Sequence, residues 1–114
     1  MLYHFEIGFP KDMPTSFGTI LLDYSRHAIE AAQGDRYGAI ELPRILDTKK
    51  AKLIEVEVVS GRVTKVVYRC NHCHNYDLIM AIVPHTRKVK TVWLNSNRDK
   101  HKTLNRNKYT TPCR

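Results

Sequence analysis

Four runs between residues 53 and 95 constrain the fold more than anything else in this 114-residue chain. Over 53–59, Ile54, Val56 and Val58 alternate with Glu55 and Glu57, the pattern of a half-buried strand. Ser60-Gly61 is a tight-turn signal. Residues 62–70, rich in Val and Tyr, read as the return strand. After the loop NHCHNY, 77–83 is a third strand, 84–87 a turn and 88–95 a fourth. Strands joined so briefly are neighbours, so the prediction is an antiparallel four-stranded meander over about 53–95. On its last strand, Val89, Thr91, Trp93 and Asn95 are expected on one face, Val92 and Leu94 on the other. Trp93, the sole tryptophan, is expected in the core.

A sheet needs cover. Ser25 is a good N-cap for a short helix over about 26–33, and Gly34 a natural C-cap. Ala28, Ala31 and Ala32 form its apolar stripe. The expected class is α+β, with this short N-terminal helix packed on the meander. Residues 2–9 alternate Tyr3, Phe5, Ile7 and Phe9 against His4 and Glu6, which predicts a further strand. Residues 18–24 fit a short strand or the front of a helix. Residues 38–51 read as a connection with a helical turn near Ile45.

The length suits one domain, 1–114, with a basic C-terminal segment from about 96. No apolar run is long enough to span a membrane, and no secretory leader is evident, so the expected place is the cytoplasm. Three cysteines, an odd number, argue against a disulfide framework and for a reducing compartment. The net charge of +8 is unevenly spread: 87–114 hold nine Lys/Arg and one acid, Asp99. That asymmetry points to a polyanion partner, nucleic acid above all, with a solvated basic tail as the plain alternative. Lys88, Lys90, Arg98, Lys100, Lys102, Arg106 and Lys108 are the candidates for neutralising its backbone.

Cys70-x-x-Cys73 with His72 and His74 resembles half of a zinc site. A closed site needs a second pair, and His85, His101 and Cys113 supply none, so no metal or other cofactor is expected, with a structural zinc protein as the weakest alternative. P-loop, dinucleotide and serine-elbow motifs are missing, and the acids are too scattered to predict a two-metal nuclease or a glycosidase. Chemistry on a phosphate remains. RNA carries its own nucleophile, the 2′-hydroxyl. Histidine suits general acid and base roles near neutrality, and arginine suits a phosphate.

The string DYSRHAIEAAQGDRYG resembles the Ser/Thr-x-His-Ala opening of small toxin-like domains in the barnase–EndoU–colicin–RelE nuclease superfamily. VTKVVYRC, YDLIMAIV and KVKTVWLN are similar to its later strands, so the resemblance covers roughly 18–109. It implies a metal-independent endoribonuclease acting by transesterification and leaving a 2′,3′-cyclic phosphate. His27 would be the base, Arg69 the phosphate clamp, Thr91 a donor, and His101 or Tyr109 the acid or orienting group. RNA, tRNA or mRNA, would be the substrate, and an inhibitor or host protein a partner, in a phage context. GDRYGAIELP stands where the family has a second basic signature, and NHCHNY has no counterpart there. The other reading is a non-catalytic basic phage or mobile-element protein that binds nucleic acid or a host enzyme.

Overall fold

The computed structural model describes residues 1–14, 16–98 and 105–112. Strands come first: β1 is Leu2–His4, β2 Thr19–Leu21 and β3 Asp23–Tyr24. Helix α1, Arg26–Gln33, follows, then β4, Ile45–Asp47. The second half holds β5 (Lys52–Val59), β6 (Arg62–Asn71), β7 (Tyr76–Val83) and β8 (Lys88–Ser96).

The meander is present, but the sheet is larger than the expected four strands. Its order is β1-β5-β6-β7-β8-β3, six strands, because two pieces of the N-terminal third close its edges. β1 pairs antiparallel with β5, and β3 lies parallel to β8. The helix is therefore not N-terminal, since three strands precede it. The class remains α+β. The predicted strand over 2–9 stops at His4, where Ile7 and Gly8 turn back to donate to the His4 carbonyl at 3.0 and 2.8 Å. Gly8 adopts φ 120°, a conformation that a side chain disfavours. Residues 45–47 are a strand, not a helical turn. β4 pairs with β2 in a separate ladder that sets Ile20 against Leu46, and the 3₁₀ turn comes after it, at Thr48–Lys50.

α1 begins where its sequence says. The Ser25 side chain accepts from the Ala28 amide at 3.0 Å, and Ser25 is extended. Ala28 and Ala32 are buried in the main core with Val56, Val66, Tyr68, Leu78, Met80, Ile82, Val89, Val92 and Leu94. Their small side chains allow the helix to lie close to β8. Each larger aliphatic group fully buried there contributes about 1.5–3 kcal/mol against chain entropy. Past the helix, Asp35 Oδ1 accepts from the Leu94 amide at 3.1 Å and ties the loop to β8. β7 is apolar on both faces: Leu78, Met80 and Ile82 enter the main core, while Ile79 and Ala81 join a second cluster with Ile54 and Val67. A central strand with cover on both sides reads as a continuous apolar run for this reason.

Candidate nucleic-acid interface on the open sheet face

Two irregularities decide what the face away from the helix displays. In β5 the register passes from Leu53↔Tyr68 to Glu55↔Val67, so Ile54 is an extra residue. Leu53 stays in the main core, and Ile54 goes to the second cluster. Glu55, opposite Val67, turns to that same face. In β8 the register passes from Ala81↔Thr91 to Ile82↔Val89, leaving Lys90 unpaired in the ladder. Val89 therefore drops into the main core beside Val92 and Leu94, contrary to simple alternation. Thr91, Trp93 and Asn95 keep the open face. Trp93 is 39% exposed there, so it is not the core residue that the sequence predicts. Bulges commonly re-aim side chains in this way.

The result is a cavity of about 360 Å³ with an apolar floor of Ile54, Val67, Ile79 and Ala81. Thr91, Trp93 and Asn95 form one wall; His4, Glu55, Lys65, Lys108 and Tyr109 form the rest. Residues from β1, β5, β6, β7, β8 and the C-terminal segment thus meet in one place.

Glu55 is the carboxylate of this cavity and is 9% exposed. Tyr109 donates its hydroxyl to Oε1 at 2.7 Å, and Lys65 Nζ lies 3.5 Å from Oε2. The Tyr109 phenol is pushed well above its ordinary value, first by burial, then by its bond to Glu55 and that carboxylate's charge. It stays a hydroxyl and a donor. His4 is buried, directly opposite Glu55 in the β1–β5 ladder. Its Nδ1 accepts from the Glu6 amide at 3.1 Å, so the proton of the neutral ring sits on Nε2. The ring stacks on Phe5 at 4.8 Å and meets Tyr109 at 4.9 Å. The C-terminal segment is docked: Thr110 donates to the Leu2 carbonyl at 2.7 Å.

Of the residues singled out in the sequence, Thr91, Tyr109 and Lys108 come together in this cavity. His27 does not join them. It is exposed on the first turn of α1, which packs on the opposite face of the sheet. The Arg69 guanidinium is committed to the sheet's own frame. Its Nε lies 2.6 Å from Asp77 Oδ2, and another nitrogen donates to the Ser96 carbonyl at 2.7 Å. Lys88 pairs with Asp23 at 3.0 Å. Lys90, Arg98 and Arg106 are exposed. His101, Lys100 and Lys102 lie outside the described residues.

Sequence reasoning overlooked Glu55, His4 and Lys65 as a group and left Trp93 to the core. A trace existed, because Glu55 interrupts an otherwise apolar strand start. Its partner Tyr109 is 54 residues away, beyond any local pattern.

Cys70 donates its thiol to the Leu78 carbonyl at 3.5 Å; burial, then the Asp77 charge, push it up to about 11. Cys73 is exposed. Among the described residues, no three His, Cys, Asp or Glu side chains group in a way that could hold a metal ion. No helix among them is long and apolar enough to cross a membrane. Comparison of the chain with protein-family models, with curated proteins and with solved structures finds no match.

Proposed function

We propose that this chain binds RNA on the open face of its sheet and cleaves it by transesterification, a reaction that needs no metal. The observation that carries the reading is Glu55: one nearly buried carboxylate in a nucleotide-sized cavity, paired with Lys65, whose lining also holds Lys108 and Trp93. In this scheme Glu55 takes the place assigned to His27 from the sequence. It accepts the proton of the 2′-hydroxyl as that oxygen attacks phosphorus. The bond from phosphorus to the 5′-oxygen breaks, and the products are a 2′,3′-cyclic phosphate and a 5′-hydroxyl. A carboxylate has about four lone-pair positions, so the Tyr109 and Lys65 contacts leave capacity for this proton. Lys65 and Lys108 flank the phosphate, and on the far wall of the cavity Thr91 offers a hydroxyl and Trp93 an indole face to the base. The proton for the departing oxygen falls to His101, on the chemistry of imidazole alone.

A second reading has its own support. Both Glu55 oxygens already have partners, as in a carboxylate whose work is to staple the C-terminal segment to β5. On that reading the cavity grips RNA and breaks nothing.

One experiment separates them. Wild type and Glu55→Gln are incubated with total RNA and with tRNA in EDTA. Cleavage with cyclic phosphate ends, falling about 10²–10⁴-fold in the variant, supports catalysis. Intact RNA in every lane with a salt-sensitive gel shift leaves the binder. Absence of both cleavage and shift removes RNA from the reading.

A further inference from the structure

A second recess lies beyond the end of β8, built from three loops that meet there. Its volume is about 330 Å³, and Tyr37, Asn75, Tyr76, Ser96, Asn97 and Arg98 line it. Tyr37 follows α1 and Tyr76 opens β7. Their rings stack with centroids 4.5 Å apart and planes 29° apart. The Arg36 guanidinium lies 4.6 Å from the Tyr37 centroid. Arg36, Tyr37 and Arg98 are all exposed.

The loops are held in register. Asn97 donates its side-chain amide to the His74 carbonyl at 2.6 Å and its backbone amide to the Asn75 carbonyl at 3.1 Å. Arg69, paired with Asp77, holds the Ser96 carbonyl from beneath. The recess is thus presented by a braced strand end.

We infer that this recess is a second nucleotide subsite, which takes an unpaired nucleotide at least two places along the strand from the one seated in the open-face cavity. The inference rests on the RNA-binding part of the function proposed above, and not on cleavage. Stacked aromatic rings beside arginines meet the two needs of a single-stranded nucleotide, a flat partner for the base and a cation for the phosphate. An exposed arginine on a ring face is a weak contact, so a base competes with Arg36 for Tyr37 and leaves that guanidinium for the backbone. The position fits as well. A strand rises about 3.3 Å per residue, so Ser96 stands roughly 10 Å along β8 from Trp93. One chain of nucleotides can leave Trp93, pass Asn95 and turn over the strand end.

The test uses uncleavable 2′-O-methyl oligonucleotides, a dinucleotide and a hexanucleotide. Fluorescence of Trp93, the sole tryptophan, reports occupancy of the cavity. The hexanucleotide is expected to bind about tenfold more tightly, the worth of one further stacked base. Tyr37→Ala with Arg98→Ala should remove that gain and confine the loss to the hexanucleotide, while Tyr37→Phe keeps it. Circular dichroism confirms that the variants fold. Equal affinity of the two lengths, or a hexanucleotide indifferent to both changes, overturns the subsite. If neither oligonucleotide alters the fluorescence or shifts on a gel, the subsite and the RNA reading fall together. If both bind as expected and RNA stays intact in EDTA, the subsite stands and only cleavage falls.

Discussion

The hydroxyl of Tyr109 donates to Oε1 of Glu55 at 2.7 Å, joining the end of the described chain to the second sheet strand from the edge. With the Thr110 amide on the Leu2 carbonyl, it holds residues 105–112 against β1 and β5. Tyr109→Phe removes the hydroxyl and keeps the ring against His4. A hydrogen bond to a charged group contributes about 1.5–3 kcal/mol, so urea denaturation should show a loss of about that size. An unchanged midpoint would mean that the bond contributes nothing net.

Alkaline pH should unfold the protein over a defined window. Burial, then the Cys70 charge, push Tyr24 up to about 12. Burial also pushes Tyr68 to about 12, against the opposing effect of a hydrogen bond with Thr48. Tyr109 is raised in the same direction. A folded-state value above the unfolded one means stability that is complete below the unfolded value and lost as pH rises toward the folded one. The Cys70 contribution therefore fades from about pH 9 and the tyrosines' from about pH 10, with the steepest fall between about 10 and 12. Urea midpoints at successive pH values, read beside tyrosinate absorbance, check this. Reversible ionisation of every tyrosine with no unfolding would contradict it.

Arg69 and Asp77 should behave as one structural unit. Their side chains are only 10% and 15% exposed. Breaking such a pair from one side leaves a buried charge and costs about 3–5 kcal/mol, whereas replacing both partners with apolar groups costs far less. Arg69→Met should be markedly destabilised and Arg69→Met with Asp77→Leu much less so. Equal losses in the single and double variants would mean that packing, not charge, is at stake.

His27→Ala should leave stability within about 0.5 kcal/mol of wild type, as for other exposed substitutions. RNA cleavage in EDTA should be undiminished. A cleavage rate that collapses while the fold stays intact would return His27 to the site and move the chemistry to the helix side of the sheet.

Ser60 has φ 51° and precedes Gly61 at φ 77°, the left-handed pair of a two-residue hairpin turn. Asparagine tolerates that conformation better than serine. Ser60→Asn should raise stability by about 0.5–1 kcal/mol, read as a higher urea midpoint. A lower midpoint would show that the serine hydroxyl has a role of its own.

The meander was legible because its signals are local. Alternation over 53–59, the Ser60-Gly61 turn and the Ser25 cap each act within a few residues. The edge strands were legible only in part: alternation over 2–9 announced β1, but not its end at His4 or its place beside β5. β3 is two residues long and owes its existence to Lys88 and Val89, far along the chain. The candidate site was hidden by the two bulges. Each adds a single residue, and a one-residue offset changes which face every later side chain takes. Strict alternation therefore kept Val89 with Thr91 and obscured the face on which Glu55 and Trp93 meet. The Glu55–Tyr109 contact had no signature at all, because only the finished sheet brings these residues together.

The sheet order carries a consequence for how such a chain comes off the ribosome. β1 must wait for β5, β3 for β8, and α1 for the core face that β6, β7 and β8 complete. The first half, made first, can close only the short β2–β4 ladder by itself. β1 stays unpaired until β5 has emerged, and Ile20 and Leu22 lack their full core until β8 has. A chain cut short within the meander would expose the same residues permanently and offer chaperones and proteases an unfolded first half.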